Sequence, residues 1–238
     1  MLSIKHLTKH YRGSNKGVTD INLEIKPGDI YAFIGHNGAG KTTTLKCIVG
    51  IHDYDDGEII VDNMNIKDEP INYKKSLAYI PDNPDLYEYL TGIQYLNFVA
   101  DVYGVPAVER EELIRLHADN FEITSSLGDL ISTYSHGMKQ KLAIISALIH
   151  SPKLLILDEP FVGLDPKAAV IVKGLMKDIC DKGGAVFFST HVLDVAERLC
   201  NKVAIIKDGS LIASGNMNDI LKKGESLEAI FMEVTDNE

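Results

Sequence analysis

Residues 35–42 read Gly-His-Asn-Gly-Ala-Gly-Lys-Thr and match the spacing G-x-x-x-x-G-K-[ST] at every fixed position. That spacing suits a phosphate. Glycines at Gly35, Gly38 and Gly40 let backbone N–H groups turn inward around it, and the following helix N-terminus adds partial positive charge. Lys41 can reach the β and γ oxygens of a nucleotide, and the Thr42 hydroxyl can ligate Mg²⁺. His36, Asn37, Ala39 and Thr43 complete the stretch expected to touch the nucleotide. The apolar run Ile30–Ile34 lies before the loop, and a helical pattern from Thr42 to Val49, closed by Gly50, lies after it. This strand–loop–helix setting is the one in which the motif binds nucleotides.

A second group with chemistry is Leu154-Leu-Ile-Leu-Asp158-Glu159-Pro160, an apolar strand delivering two carboxylates at its C-terminal end. Ligands of open α/β sheets sit at that end. Burying carboxylates there is costly unless a metal or hydrogen bonds compensate. Asp158 is placed to hold Mg²⁺ or its water, and Glu159 to polarise the water that attacks a γ-phosphate.

The elements that must position these residues alternate. Strand-like segments at Ile30–Ile34, Ile59–Val61, Ala78–Ile80, Leu154–Leu157, Ala185–Ser189 and Val203–Ile206 are separated by helical ones, which indicates α/β architecture. Asp165-Pro166 offers a helix cap followed by proline at the first helical position, and that helix should end near Gly183-Gly184. Asp208-Gly209 is a hairpin signal. From about Leu86 to His150 the chain lacks strands and reads as helices broken at Gly104–Pro106 and near Gly128. The tail Ser226–Val234 puts Leu227, Ile230, Phe231 and Val234 on one face of a short helix, as a docking face would.

Composition narrows the class further. With 238 residues, 45% hydrophobic and 24% charged, the chain is globular rather than disordered. Cys47, Cys180 and Cys200 are far apart and form no C-x-x-C pair, so reduced thiols in a cytosolic setting are expected. The start carries charges where a signal peptide needs an apolar stretch. The longest largely apolar run, Leu142–Ile149, falls far short of the ~20 residues that cross a bilayer. A net charge of −10 with no basic block argues against nucleic acid as the main partner.

Taken in order, the motifs resemble those of an ATP-binding cassette (ABC) ATPase along nearly the whole chain. Tyr134-Ser-His-Gly-Met138 stands where that family has its LSGGQ signature, and Gly163-Leu-Asp-Pro166 resembles its D-loop. Ser189-Thr-His191 resembles the switch-histidine loop, Ala78-Tyr-Ile-Pro-Asp82 the Q-loop, and Tyr11 the aromatic that stacks on adenine. The resemblance implies a P-loop NTPase core with a mainly parallel sheet, an N-terminal antiparallel β portion and an inserted helical subdomain. Residues 1–85 and 151–238 would form the core and 86–150 the subdomain. It further implies ATP and Mg²⁺ as cofactors, with Thr42, Asp82 and Asp158 at the metal. Glu159, His191 and Lys41 would be catalytic. Two chains, either copies or paralogues, would sandwich ATP head to tail, so that Ser135 and Gly137 of one face the phosphate loop of the other. Membrane-spanning subunits would be the partners, held at the cytoplasmic face near Asp82–Tyr103, with Tyr87, Tyr89 and Leu90 as contacts.

Some positions depart from the pattern. Asp82 stands where the family usually has glutamine, and a carboxylate there adds negative charge beside Asp158 and Glu159. His136 replaces the first signature glycine and Met138 the glutamine, while Ser135 and Gly137 keep the hydroxyl and one glycine. The stretches Tyr134–Lys141, Tyr79–Thr91 and Ser226–Thr235 resemble the exporter subclass whose ATPase is a separate chain. Other readings share the same loop. A soluble ABC ATPase acting on DNA or ribosomes predicts coiled-coil insertions, tandem cassettes or a basic surface. A nucleotide sensor predicts the loss of Glu159 or His191.

Overall fold

Side-chain alternation with a period of two governs how the central sheet is covered. The structure, a computed structural model, describes residues 1–13, 16–221 and 225–236. The chain begins with β1 (Leu2–His10), β2 (Gly17–Ile25), β3 (Ile30–Ile34), α1 (Lys41–Ile48), β4 (Asp56–Val61), β5 (Met64–Asn65), α2 (Pro70–Ser76) and β6 (Leu77–Ile80). Helices α3 (Gly92–Tyr103), α4 (Ala107–Asn120) and α5 (His136–Leu148) follow, with 3-10 turns at Thr124–Ser126 and Ile131–Thr133. The remainder is β7 (Leu154–Asp158), α6 (Pro166–Asp181), β8 (Ala185–Thr190), α7 (Leu193–Leu199), β9 (Lys202–Lys207), β10 (Ser210–Asn216), α8 (Met217–Ile220) and α9 (Leu227–Asp236).

One sheet runs β10-β9-β3-β8-β7-β6, parallel throughout except for the β9–β10 hairpin. The other runs β2-β1-β4-β5 and is antiparallel. This is the α/β arrangement the sequence led us to expect. Strands β3, β7 and β8 are buried along their whole length, as parallel strands covered on both faces must be. Tyr31, Phe33, Leu154, Ile156, Ala185 and Phe187 pack on one face with α1, α2 and the antiparallel sheet. Ile34, Leu155, Leu157, Val186 and Phe188 pack on the other with α3–α9 in one continuous cluster. Asp158 is level with Ser189, and Ile34 with Thr190, so the C-terminal ends of β3, β7 and β8 open on one edge.

Strands β1 and β2 were missing from the segments read as strands, and bulges explain why. Burial in β1 falls on Leu2, Ile4 and Leu7, and in β2 on Val18, Ile21, Leu23 and Ile25. The register shifts between Ile4 and Leu7, where His6 has φ 54°, and Asp20 has φ 53° on the facing strand. An extra residue moves the apolar side chains from even to odd positions, so simple alternation disappears. The helix ends were legible: Asp165 accepts from the Ala168 N–H at 2.8 Å, and Pro166 opens α6. Asp208 and Gly209 take φ 46° and 81° in the β9–β10 turn. The three cysteines are buried and unpaired, and burial pushes the Cys47 and Cys180 thiols up to about 11. Among the described residues, no helix is long and apolar enough to cross a membrane.

Helix α1, which carries the phosphate loop at its start, is secured at its other end. Tyr73, fully buried in α2, donates its hydroxyl to the Ile48 carbonyl at 2.6 Å. That carbonyl is one of the last of the helix and has no partner within it. Tyr73→Phe should therefore lower unfolding stability by about 1–3 kcal/mol, the cost of a buried carbonyl left unsatisfied. Urea denaturation should show the midpoint falling with an unchanged slope.

Candidate active site

The first turn of α1 is built to face an anion. Gly40, at the cap position with φ 112°, supplies no side-chain acceptor, and no acidic residue follows it in that turn. A Cβ on Gly40 would lie 2.6 Å from Val18 Cγ1, so both the conformation and the space require glycine. The leading N–H groups of the helix and its positive dipole end are thus left uncompensated. Lys41, 6% exposed, donates from Nζ to the carbonyls of Gly35 (2.7 Å) and His36 (3.2 Å). Burial pulls its pKa down, opposed by Glu159 and then Asp158.

The carboxylates come from β7. Asp158 is 3% exposed and both its oxygens are bonded: Thr42 Oγ1 donates to Oδ2 at 2.7 Å and Ser189 Oγ donates to Oδ1. Glu159 follows with φ 49°, an unusual value for a non-glycine residue. Its N–H donates to Ser189 Oγ at 3.2 Å. Its Oε2 meets His191 Nδ1 at 2.9 Å and the His191 N–H at 3.3 Å, while Oε1 lies 3.9 Å from Lys41 Nζ. The Val192 N–H donates to Thr190 Oγ1 at 3.0 Å, which fixes the turn carrying His191.

A cavity of about 450 Å³ gathers Tyr11, Asn37, Gly38, Gly40, Lys41, Thr42, Thr43, Asp82, Asp158 and Glu159. The Tyr11 hydroxyl lies 3.4 Å from Thr43 Oγ1. Gly35 and His36 line an adjoining cavity together with His191, and Ala39 is buried under the loop. Ser135 and Gly137 are not brought to this cavity. Ser135 caps α5 by accepting from the Met138 N–H at 3.3 Å, and Gly137 lies against the Gly163 carbonyl. The sequence reading missed Lys16 and Gly17, which also line the cavity, and Ser189 as a holder of Asp158. A serine next to the end of a strand that opens Ala-Val-Phe-Phe was the available signal for Ser189.

Among the described residues, no three His, Cys, Asp or Glu side chains cluster to hold a metal by themselves. A divalent ion here fits only with the Thr42 hydroxyl, a carboxylate and the ligand's own oxygens, and the Thr42–Asp158 pair already points one hydroxyl and one carboxylate into the same space. An uncapped helix end, a buried ammonium and paired carboxylates suit a polyphosphate arriving with a divalent cation.

The ABC transporter family model matches residues 18–162. The chain belongs to the ABC transporter ATP-binding subunit family. The ABC-type transporter ATP-binding protein EcsA of Bacillus subtilis (strain 168) is 34% identical over 239 residues, covering 99% of this chain and 96% of that protein. The linearmycin resistance ATP-binding protein LnrL of the same organism is 33% identical over 223 residues, covering 94% of this chain and 71% of that protein. A solved ATP-binding subunit of an ABC transporter superposes with a TM-score of 0.94 at 35% identity, over 99% of both chains. Nucleotide binding and ATPase activity are general properties of this family.

The buried ammonium gives this ABC subunit a pH signature. The folded chain holds the Lys41 proton less tightly than the unfolded chain, whose lysine titrates at 10.5. Between the lowered value and 10.5 the unfolded state binds more protons, so the contribution of Lys41 to stability rises with pH. In nucleotide-free protein, the stability of wild type relative to Lys41→Met should climb across that window, as read by denaturation at stepped pH. A flat difference would show that the site accommodates the charge without cost.

Proposed function

We propose that this chain is the ATP-hydrolysing subunit of an ABC exporter, driving membrane-spanning partners through ATP-dependent closure of two ATPase chains. The observation that carries the reading is the contact of Glu159 with both Lys41 and His191 beside the uncapped start of α1. Residues 1–85 and 151–238 serve as the nucleotide-binding core, and 86–150 as the helical subdomain.

The roles follow from position and chemistry. Tyr11 offers a ring for adenine at the cavity edge. The backbone of Gly35–Thr43 and the Lys41 ammonium bind the phosphates and stabilise charge on the γ-phosphoryl oxygens. Thr42, Asp158 and Asp82 would hold Mg²⁺, which when bound neutralises phosphate charge. Oε2 of Glu159 is engaged by His191, which leaves Oε1 to accept the proton of the attacking water. The water oxygen bonds to the γ-phosphorus as the bond to the β–γ bridging oxygen breaks, giving ADP and phosphate. His191 orients Glu159 through Nδ1 and its N–H, and contacts the γ-phosphate once ATP is present.

Ser135 and Gly137 sit apart from this chain's own cavity, which supports their serving the nucleotide of a second chain, either a copy or a paralogue. The N-terminus of α5 has no acidic residue in its first turn and offers a second anion site to that phosphate. The surface for the membrane partner is the aromatic cluster near Asp82–Tyr103. Tyr87 and Tyr89 are exposed and stack at 5.9 Å, with Phe98 exposed beside Tyr87 and Leu90 half-buried behind them. Export is supported by the subclass resemblance and by the resistance role in the name of LnrL. Attachment to those partners puts the chain at the cytoplasmic face.

Glu159→Gln should cut phosphate release by about 10²–10⁴-fold. It should keep ATP binding and accumulate an ATP-bound dimer in size-exclusion chromatography. Turnover at the wild-type rate would remove Glu159 from the role of base, and a monomer with ATP would undo the proposed ATP-dependent closure. A tagged chain recovered from detergent-solubilised membranes should bring down a polytopic membrane protein in stoichiometric amount. Recovery with ribosomal or DNA-bound proteins, or with nothing, would instead favour a soluble ATPase or a nucleotide sensor.

A further inference from the structure

The C-terminal helix α9 reaches the phosphate loop. The ring of Phe231, itself 6% exposed, packs on the imidazole of His36 with centroids 4.8 Å apart and planes at 58°. His36 is also the residue whose carbonyl accepts from Lys41 Nζ at 3.2 Å and from the Ala39 N–H at 3.1 Å. The same residue is thus gripped at its side chain by α9 and used at its carbonyl to hold the buried ammonium and close the loop. At its start, α9 is tied to the other side of the site: the Leu227 N–H donates to Glu197 Oε2 at 2.7 Å, and Glu197 lies on α7. Helix α7 begins two residues after His191. A cavity of about 270 Å³ lies where the three meet, lined by His36, His191, Leu193 and Phe231 among others.

We propose that Phe231 is a positioning residue for ATP binding, acting through His36 to preorganise residues 35–41, with α9 bracing the loop against α7. This rests on residues 35–42 being the ATP-binding loop, as proposed above. Leu227 and Ile230 already bury the inward face of α9 in the main core. Phe231 adds a contact to a loop residue whose side chain is otherwise on the surface. A loop residue free to rotate would carry its carbonyl away from Lys41, and ordering it again would weaken binding. An aromatic pair of this kind corresponds to about a twofold to tenfold change in an equilibrium constant.

Binding of a fluorescent ATP analogue with Mg²⁺ to the full chain tests the proposal. Phe231→Leu keeps an apolar side chain on α9 and should leave the melting temperature within a few degrees, yet raise the dissociation constant about threefold to tenfold. Phe231→Tyr, which keeps the ring, should bind as wild type does. In a His36→Ala background, Phe231→Leu should have no further effect. Unchanged binding by Phe231→Leu, or a loss that persists in full without the His36 ring, would overturn the proposal and leave α9 a docking helix. If the leucine variant does not fold, Phe231→Met carries the same comparison. Failure of the wild-type chain to bind the analogue would overturn the ATP reading, and this inference with it.

Discussion

A buried carboxylate must find hydrogen-bond donors or a cation if it is to stay ionised. Asp158 finds two, the Thr42 hydroxyl from α1 and the Ser189 hydroxyl from β8. These bonds join three elements that are far apart in sequence. They fix how far α1 sits along the sheet, and they agree with the parallel register that sets Asp158 beside Ser189. The left-handed backbone at Glu159 follows from the same point. A chain leaving a buried strand must turn at once to keep its next carboxylate on the edge, and the Ser189 hydroxyl that donates to Asp158 also receives the Glu159 N–H. Such strain persists where the surroundings over-determine it, and here it sets Glu159 between Lys41 and His191.

Charge in the cavity is arranged against a bare anion. Asp82, Asp158 and Glu159 line it, while Lys41 is held inside by backbone carbonyls. A phosphate alone would meet repulsion from the carboxylates, and a divalent ion alone would find no set of three His, Cys, Asp or Glu side chains to complete its shell among the described residues. The two together satisfy both halves. Asp82 sharpens this requirement, because a glutamine there would leave the cavity with one fewer negative group.

What was legible in the sequence was whatever obeys short-range rules. The phosphate loop has fixed spacing, Asp165-Pro166 and Asp208-Gly209 carry their own backbone preferences, and β3, β7 and β8 are buried apolar runs. Features set by distant partners were not legible. Bulges at His6 and Asp20 hide β1 and β2 because they break the alternation that marks a strand. Ser189 gains its place only when β8 pairs with β7, and the grip of Phe231 on His36 spans most of the chain. The stripe Leu227–Ile230–Phe231 correctly announced a docking helix, but periodicity does not say that one member of the stripe docks on the phosphate loop.

The signature segment shows how a departure from a motif can be absorbed. His136, where a glycine would be expected, turns its ring against Gly163: a Cβ on Gly163 would meet the imidazole at 2.3 Å. Gly137 lies close to the Gly163 carbonyl, and Lys141, one turn further along α5, pairs with Asp165 at 2.8 Å. That ion pair is the leading reason the Asp165 carboxyl is held below the ordinary range, with the Ala168 N–H adding to it. With the Asp165 carboxylate open to solvent, the pair contributes little to stability by itself, so its value lies in geometry. Three contacts within the first two turns of α5 tie its N-terminal part to the backbone that leads from Glu159, the proposed base, into α6.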